Sequence, residues 1–426
     1  MPDTIFALSS GAPPAAIAVI RISGSRASEA LAASLAGTLP EPRRASLRTV
    51  RDAAGEVLDR ALILWFPAPD TATGEDLVEL HLHGGRAVVA AVLNHLASLR
   101  LRPAVAGEFT RRAFDNGRID LMEAEGLADL LSAETELQRR AAISMADGGL
   151  SRQVEAWRSE VLSLAAMVEA AIDFSDEGEV GEMDLAPVRQ GIGKLHADMT
   201  HIAAQPPLER IKQGIRVVIA GPPNAGKSSL LNRLVDKEAA IVSEIAGTTR
   251  DLIEAPIAIG GVPFVFADTA GLRDATDDPI EVIGIERART GVNTADIVLW
   301  LDRTSPPEDF AERTIWVGAK GDIEAAPEGS LVTSAVTGLG IDELRAEILR
   351  RAGWLLPAQD GAIINVRQRA FIEASGAALR AAAELEDVVL LAEALRVVRS
   401  NLDALSGRAG VEDVLDALFG RFCIGK

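Results

Sequence analysis

A Gly-rich stretch in the middle of the chain has the residue types and spacing of a phosphate-binding loop. Residues Gly221–Ser228 run GPPNAGKS and fit the pattern GxxxxGK[ST]. Glycines let main-chain N–H groups close around phosphate oxygens, and the start of a following helix adds positive potential. We expect Lys227 to reach the β- and γ-phosphates and Ser228 to bind Mg²⁺. A β-branched run at 215–220 and a helix-like run at 229–235 flank the stretch, which favours a phosphate site over a chance Gly-rich turn.

Four further segments follow in the order that GTP hydrolysis requires. Residues 247–251 offer a threonine to Mg²⁺, and residues 268–271 offer a carboxylate near the metal and a glycine near the γ-phosphate. Residues 319–322 match the base-recognition pattern NKxD except at the first position, and residues 334–335 follow another β-like run. Each segment alone is weak evidence. All of them in this order, after predicted strands, indicate a GTP-hydrolysing domain.

Recognition of the nucleotide base and positioning of the attacking water each require further side chains. Asp322 can accept two hydrogen bonds from the N1–H and the exocyclic amine of guanine, which adenine does not offer. Ala319 stands where an asparagine usually braces the phosphate loop, so we expect the nucleotide affinity, more than the base preference, to be affected. Leu272 stands where Ras-like enzymes carry the water-positioning glutamine. Glu281 is a further candidate for that role, although its spacing alone favours an ordinary solvated helix residue.

The hydropathy pattern divides the chain into four segments. Residues 1–118 have the mixed pattern of an α/β domain, and residues 119–212 are mostly helical. Residues 213–354 alternate strand, loop and helix, which predicts a parallel sheet, and the chain is helical again over 355–426.

Two apolar stripes with helical spacing lie in the helical segments. One runs from Val154 to Ala171 and the other from Leu391 to Leu405. Each stripe needs a partner, and the simplest partner is the other stripe. We therefore predict an α/β segment inserted into a discontinuous helical domain, with two independent helical domains as the alternative. The acidic, Gly-bearing run at 174–184 predicts a loop.

Composition narrows the class of protein. The 426 residues are 48% hydrophobic and 25% charged, which is typical of globular domains, and no run is long and apolar enough for a membrane helix. The single cysteine excludes an internal disulfide framework, and the N-terminus lacks the pattern of a signal peptide, so we expect a cytoplasmic protein. Proteins that bind nucleic acids on their own are usually basic, so the net charge of −19 argues against such a function. Binding of RNA would need a local basic patch or a second protein.

Four segments outside the phosphate site resemble one known family, the tRNA wobble-uridine-modifying GTPases MnmE (TrmE). The four segments are Arg21-Ile22-Ser23-Gly24, residues 73–85 (TGEDLVELHLHGG), residues 107–130 (GEFTRRAFDNGRIDLMEAEGLADL) and the ending FCIGK at 422–426. The resemblance covers nearly the whole chain. It implies an N-terminal α/β folate-binding and dimerisation domain, a discontinuous helical domain and an inserted Ras-like G domain.

The resemblance also implies an activity and partners. The family hydrolyses GTP with Mg²⁺ and K⁺. With an FAD-dependent protein of the MnmG (GidA) type, as a heterotetramer, it adds a carboxymethylaminomethyl group to the wobble uridine of certain tRNAs. A tetrahydrofolate derivative of the 5-formyl or methylene type would bind at Arg21, Glu79, Arg118 and Lys426.

The roles of individual residues in the nucleotide cycle follow from the same resemblance. The catalytic residues would be Glu281, Lys227 and, for the modification step, Cys423. Mg²⁺ would bind Ser228 and Thr249, and K⁺ would bind Asn224, Ser243, Ile245 and Thr248. The full set of expected GTP contacts is Asn224, Ala225, Gly226, Lys227, Ser228, Ser229, Ser243, Glu244, Ile245, Ala246, Gly247, Thr248, Thr249, Asp268, Thr269, Ala270, Gly271, Lys320, Asp322, Ser334 and Ala335.

Two other functions are alternatives to a tRNA-modifying GTPase. A ribosome-assembly switch GTPase that binds RNA directly often carries a KH domain with a GXXG loop, which the C-terminal helical segment lacks. A folate-dependent one-carbon transferase regulated by the G domain overlaps the first hypothesis, since the sequence does not identify the polypeptide that transfers the carbon unit.

Overall fold

A computed structural model describes residues 3–35, 37–173, 184–235, 254–268, 294–356, 363–409 and 412–425. The chain divides into two compact units, one formed by Met1–Ala128 with Leu402–Lys426 and the other by Asp129–Asn401. Each unit contains one six-stranded sheet.

The sheet of the first unit has the strand order β3-β4-β5-β2-β1-β6. Its strands are β1 Ile5–Leu8, β2 Ile17–Ser23, β3 Ser46–Arg51, β4 Val57–Phe66, β5 Leu77–His83 and β6 Arg102–Pro103. Side chains alternate along β2 and β5, so Ile20 and Leu80 enter the core while Arg21 and Glu79 lie on the opposite face. Helices α1 Ala27–Ala33 and α2 Arg86–Ser98 pack on the core face.

The opposite face of this sheet carries a second, smaller layer. Helices α3 Glu108–Asp115 and α4 Leu121–Ser132 follow the sheet in sequence. The C-terminal helix α13 Glu412–Phe419 packs on α3, where the Arg111 guanidinium pairs with Glu412 at 3.0 Å and lies 5.6 Å from the Phe419 ring centroid. Gly107 allows this approach, because a Cβ there would lie 2.2 Å from the Phe419 carbonyl oxygen.

The sheet of the second unit has the strand order β12-β11-β10-β7-β9-β8. Its strands are β7 Ile215–Ala220, β8 Glu254–Ile259, β9 Val262–Asp268, β10 Ile297–Trp300, β11 Thr314–Gly318 and β12 Leu331–Val332. The predicted parallel sheet is confirmed for five strands, and β8 joins antiparallel as one arm of a hairpin with β9. Helices α9 Lys227–Val235 and α10 Ile341–Leu355 pack on its apolar core.

Further helices lie before and after this sheet in sequence. They are α5 Glu136–Ala146, α6 Gly149–Asp173, α7 Ala186–Ala203, α8 Glu209–Gln213, α11 Val366–Ala383 and α12 Val388–Ser406. The closest pair is α7 and α11, where His196 Nδ1 lies 3.0 Å from the Gly376 carbonyl oxygen, and α6 packs on α7. Both predicted stripes are buried apart from Ala171, which is half-buried, and their pairing with each other stays a prediction. The predicted loop falls almost wholly outside the described residues. Within the described part of the chain, no helix combines the length and the apolar character needed to span a membrane.

Candidate functional site

The phosphate loop connects β7 to α9 at the carboxyl end of the central strand. The Leu301 N–H donates to the Ala220 carbonyl at 2.7 Å and fixes the end of β7 against β10. Gly221 is required at the first position, because a Cβ there would lie 2.7 Å from the Leu301 carbonyl oxygen. The loop therefore starts at a tightly packed point and ends at the first residue of a helix, and the N-terminus of a helix attracts anions.

Lys227 is buried and its ammonium group reaches back across the loop. Its Nζ donates to the carbonyl oxygens of Gly221 and Pro222, each at 2.9 Å. These two bonds hold a positive charge over the loop, where phosphate oxygens would be bound. Ser228 follows in the first turn of α9, as a Mg²⁺ ligand from this loop requires.

Asn224 has a left-handed backbone conformation, with φ of 62°. Most side chains are crowded in this region, and asparagine is among the few that adopt it readily. Asparagine at position 224 therefore suits the backbone conformation of the loop, and its side chain is also the one that we expect to bind K⁺.

The base-recognition segments lie beside the phosphate loop. A Cβ on Gly226 would be 4.0 Å from Lys320 Cε, so the Lys320 side chain runs along the loop. Segments 318–322 and 333–335 are joined by two main-chain hydrogen bonds of 2.8 Å, from Gly321 N to Thr333 O and from Thr333 N to Gly318 O. The fold therefore gathers the phosphate-binding and base-recognition motifs at one edge of the sheet. Ala319 is half-buried and packs against the core of the unit.

Several predicted site residues lie outside the described residues. They are Ser243, Glu244, Ile245, Ala246, Gly247, Thr248, Thr249, Thr269, Ala270, Gly271, Glu281 and Lys426. Asp268 ends β9, where its main chain pairs with Ile219 of β7 beside the phosphate loop. The K⁺ and Mg²⁺ ligand sets and the position of Glu281 stay predictions.

A second polar cluster lies on the outer face of the first sheet. Arg21 and Glu79 face each other on β2 and β5, and Arg21 Nη2 donates to Glu79 Oε1 at 2.7 Å. His81 Nε2 lies 3.3 Å from the other carboxylate oxygen, and the Arg21 guanidinium lies 5.8 Å from the Phe109 ring centroid. Burial alone would raise the pKa of Glu79, but the hydrogen bonds and charge of Arg21, with a smaller contribution from His81, lower it below its usual value. Glu79 is consequently ionised at neutral pH.

The C-terminal tail reaches the strand next to this cluster. Ile424 forms an antiparallel bridge with Ala106, and a Cβ on Gly425 would lie 2.3 Å from the carbonyl oxygen of Leu8. Leu8 pairs with Ile20, the neighbour of Arg21 on β2. Cys423 is exposed in this tail. The tail thus lies beside the strand that carries Arg21.

Arg118 lies near the loop that precedes β5, where its Nη1 is 3.4 Å from Asp70 Oδ1, and its expected role in folate binding stays a prediction. His81 and Phe109 were not predicted from the sequence. His81 could have been found from the strand alternation, since it lies two residues beyond Glu79, whereas only tertiary packing brings Phe109 to Arg21.

Comparisons with known proteins cover the whole chain. Residues 4–118 match the family model described as GTP-binding protein TrmE N-terminus, and residues 121–423 match the model described as MnmE helical domain. The tRNA modification GTPase MnmE of Rhizorhabdus wittichii is 55% identical over 430 residues, covering 100% of this chain and 97% of that protein. The protein of the same name from Erythrobacter litoralis is 54% identical, covering 100% of both chains.

Among solved structures, the G domain of the T. maritima FeoB iron transporter is similar at 25% identity. The match covers 32% of this chain and 98% of that chain, with a TM-score of 0.23, which is too low to support an argument about the fold. The family models and the full-length relatives are sufficient by themselves: this chain belongs to the MnmE family of tRNA modification GTPases, enzymes that hydrolyse GTP.

Proposed function

We propose that this GTPase couples K⁺-dependent GTP hydrolysis to the addition of a carboxymethylaminomethyl group to the wobble uridine of certain tRNAs. One observation supports the proposed GTP hydrolysis most directly. The phosphate loop and Lys320 of the base-recognition segment lie side by side at the carboxyl end of β7. Lys227, held by the carbonyls of Gly221 and Pro222, supplies fixed positive charge to the β- and γ-phosphates. Asp322 supplies the preference for guanine.

Two cations complete this site in the proposal. Ser228 and Thr249 would hold Mg²⁺, which would supply positive charge to the phosphate groups. Asn224 and the segment that contains Ser243, Ile245 and Thr248 would hold K⁺, which would supply the positive charge that an arginine finger provides in other GTPases. Turnover should therefore be high in KCl and low in NaCl at equal ionic strength. Equal turnover in both salts would contradict the assignment of K⁺.

The second polar cluster is proposed as the binding site of a tetrahydrofolate derivative. Ionised Glu79 offers acceptors to N–H groups of a pterin-type ring, Arg21 offers donors, and the neighbouring tail carries Cys423 on the same side of the unit. Titration calorimetry with 5-formyltetrahydrofolate tests the assignment. Glu79→Gln keeps the shape of the side chain but removes its charge, and it should weaken binding about tenfold, in keeping with a lost charge-assisted hydrogen bond. Unchanged affinity would place the ligand elsewhere.

The remaining parts of the proposal concern assembly. The contact between α7 and α11 supports a helical domain made of segments on both sides of the inserted G domain. A homodimer through the N-terminal domain and an FAD-dependent partner of the MnmG type would supply the rest of the modification machinery. Co-purification of an FAD-containing protein, together with undermodified wobble uridine in a strain that lacks this chain, would support this arrangement. Fully modified tRNA in that strain would refute it.

A further inference from the structure

The first turn of α5 lies against the turn of the β8–β9 hairpin. The Leu137 N–H donates to the Gly261 carbonyl at 3.1 Å. Gly261 has a φ of 80°, and a Cβ there would lie 3.4 Å from the Glu136 Cβ, so hairpin and helix are in direct contact. In sequence, this hairpin joins the two segments that we expect to bind Mg²⁺ and sense the γ-phosphate, and β9 ends at Asp268.

The same turn of α5 also holds the connection into β7. Gln138 Nε2 donates to the carbonyl oxygens of Ile211 and Lys212, at 3.1 and 3.3 Å, near the end of α8. These carbonyls belong to the last turn of a helix, where no partner within the helix is available. Beyond α8 the chain passes through Gly214 directly into β7, the strand that carries the phosphate loop.

Two adjacent residues of one helix therefore contact the residues that lead into two neighbouring strands. Strands β7 and β9 run parallel, with Val217 beside Phe266 in register, and both lead to the nucleotide edge. Leu137 contacts the start of β9, while Gln138 holds the residues just before β7. If β9 shifted along β7, either one of the hydrogen bonds made by Leu137 and Gln138 would lengthen or α5 would move with the strand.

A cavity of about 100 Å³ that is partly open to solvent lies beside this contact, between α4, α5 and α8. It is lined by residues that include Asp129, Gln138, Leu208 and Lys212. An ion pair of 2.6 Å between Lys212 and Asp129 tethers α8 across this cavity.

We propose that Leu137 and Gln138 form a relay through which the nucleotide state of the β7–β9 sheet is transmitted to α5 and the helices that follow it. The proposal rests on GTP binding at the phosphate loop. It assigns Gln138 a coupling role that is distinct from the hydrolysis step, since no atom of α5 belongs to the nucleotide-binding motifs.

Hydrogen exchange of the Leu137 amide tests the relay in the full-length protein. Exchange is compared without nucleotide, with GDP and with a non-hydrolysable GTP analogue, after titration with a fluorescent guanine nucleotide. We expect the exchange rate of this amide to differ at least about fivefold between the free and analogue-bound states, because its acceptor lies in the turn of the hairpin whose second strand leads to the nucleotide edge. An unchanged rate in protein that binds the nucleotide overturns the relay alone, whereas no nucleotide binding overturns the proposed function together with it.

Gln138→Glu tests the contact itself. The substitution keeps an oxygen that can accept from the Thr135 N–H, as Gln138 Oε1 does at 2.9 Å, but it removes the donor to α8. Arg189→Gln is the matched control, because Arg189 also donates to carbonyls at a helix end, those of Ala383 and Leu385, far in sequence from the hairpin and α8.

The expected result has two parts. Gln138→Glu should keep GTP turnover within about twofold of wild type, as for a residue outside the reacting groups, while its Leu137 amide no longer responds to the nucleotide. Arg189→Gln should keep both turnover and response. A normal response in Gln138→Glu, or an equal loss in Arg189→Gln, would overturn the relay in favour of general stabilisation.

Discussion

Replacing Asn224 by glycine and, separately, by alanine separates its two roles in the phosphate loop. The residue has a φ of 62° and is expected to contribute its side-chain oxygen to K⁺. Glycine removes the carboxamide without a backbone penalty, because it adopts positive φ freely. Alanine removes the same group but places a Cβ in a crowded conformation, which costs about 1–2 kcal/mol. Both variants therefore lose the side-chain oxygen that is expected to bind K⁺, but only alanine introduces backbone strain.

The sizes of the two effects follow from this difference. Both variants should lose the stimulation by K⁺, a fall of about tenfold or more in turnover, as expected when one electrostatic stabiliser of the transition state is removed. Only alanine should also weaken nucleotide binding, by about fivefold or more relative to glycine, because about 1 kcal/mol of strain opposes the loop conformation.

The assay is steady-state GTP turnover in KCl and in NaCl, combined with equilibrium titration of a fluorescent guanine nucleotide. The ratio of turnover in the two salts reports the K⁺ contact, and the dissociation constant reports the strain. If both variants keep the wild-type ratio, Asn224 is not a K⁺ ligand. If alanine and glycine bind nucleotide equally well, the left-handed conformation does not persist in the bound state.

Three further predictions concern other parts of the molecule. Ala319→Asn should tighten guanine-nucleotide binding by roughly 0.5–1.5 kcal/mol per restored hydrogen bond, and an unchanged dissociation constant would mean that another group already braces the loop. Cys423→Ser should abolish wobble modification while leaving K⁺-stimulated GTP turnover intact, whereas loss of both activities would indicate a role in folding. Burial lowers the pKa of His95 from its usual value of 6.5, so the unfolded chain takes up this proton first and the free energy of unfolding should fall as the pH drops below about 6.5. Denaturant unfolding at pH 5 and pH 8 should show a smaller difference for His95→Gln than for wild type.

The strand and the helix that flank the phosphate loop were predictable from the sequence because their determinants are local. Residues Gly221–Ser228 contain the loop, the lysine and the hydroxyl, and their flanking elements agree with the predicted ones, β7 at Ile215–Ala220 and α9 at Lys227–Val235. Arg21 and Glu79 were expected together only because of the family resemblance, and the structure shows them on the same face of neighbouring strands. The predictions on segments 236–253 and 269–293 lie outside the described residues.

The tertiary structure decided the features that depend on contacts between distant segments. Strand register set Arg21 opposite Glu79, and the packing of α3 added the ring of Phe109, which no local pattern indicates. The FCIGK ending was recognisable in the sequence, but its position beside Leu8 depends on α13 packing against α3. The contact of Leu137 with Gly261 joins residues more than a hundred positions apart through one main-chain bond. A main-chain hydrogen bond is independent of side-chain identity, so the sequence carries no signal for it, and only the folded arrangement of helix and hairpin determines that it forms.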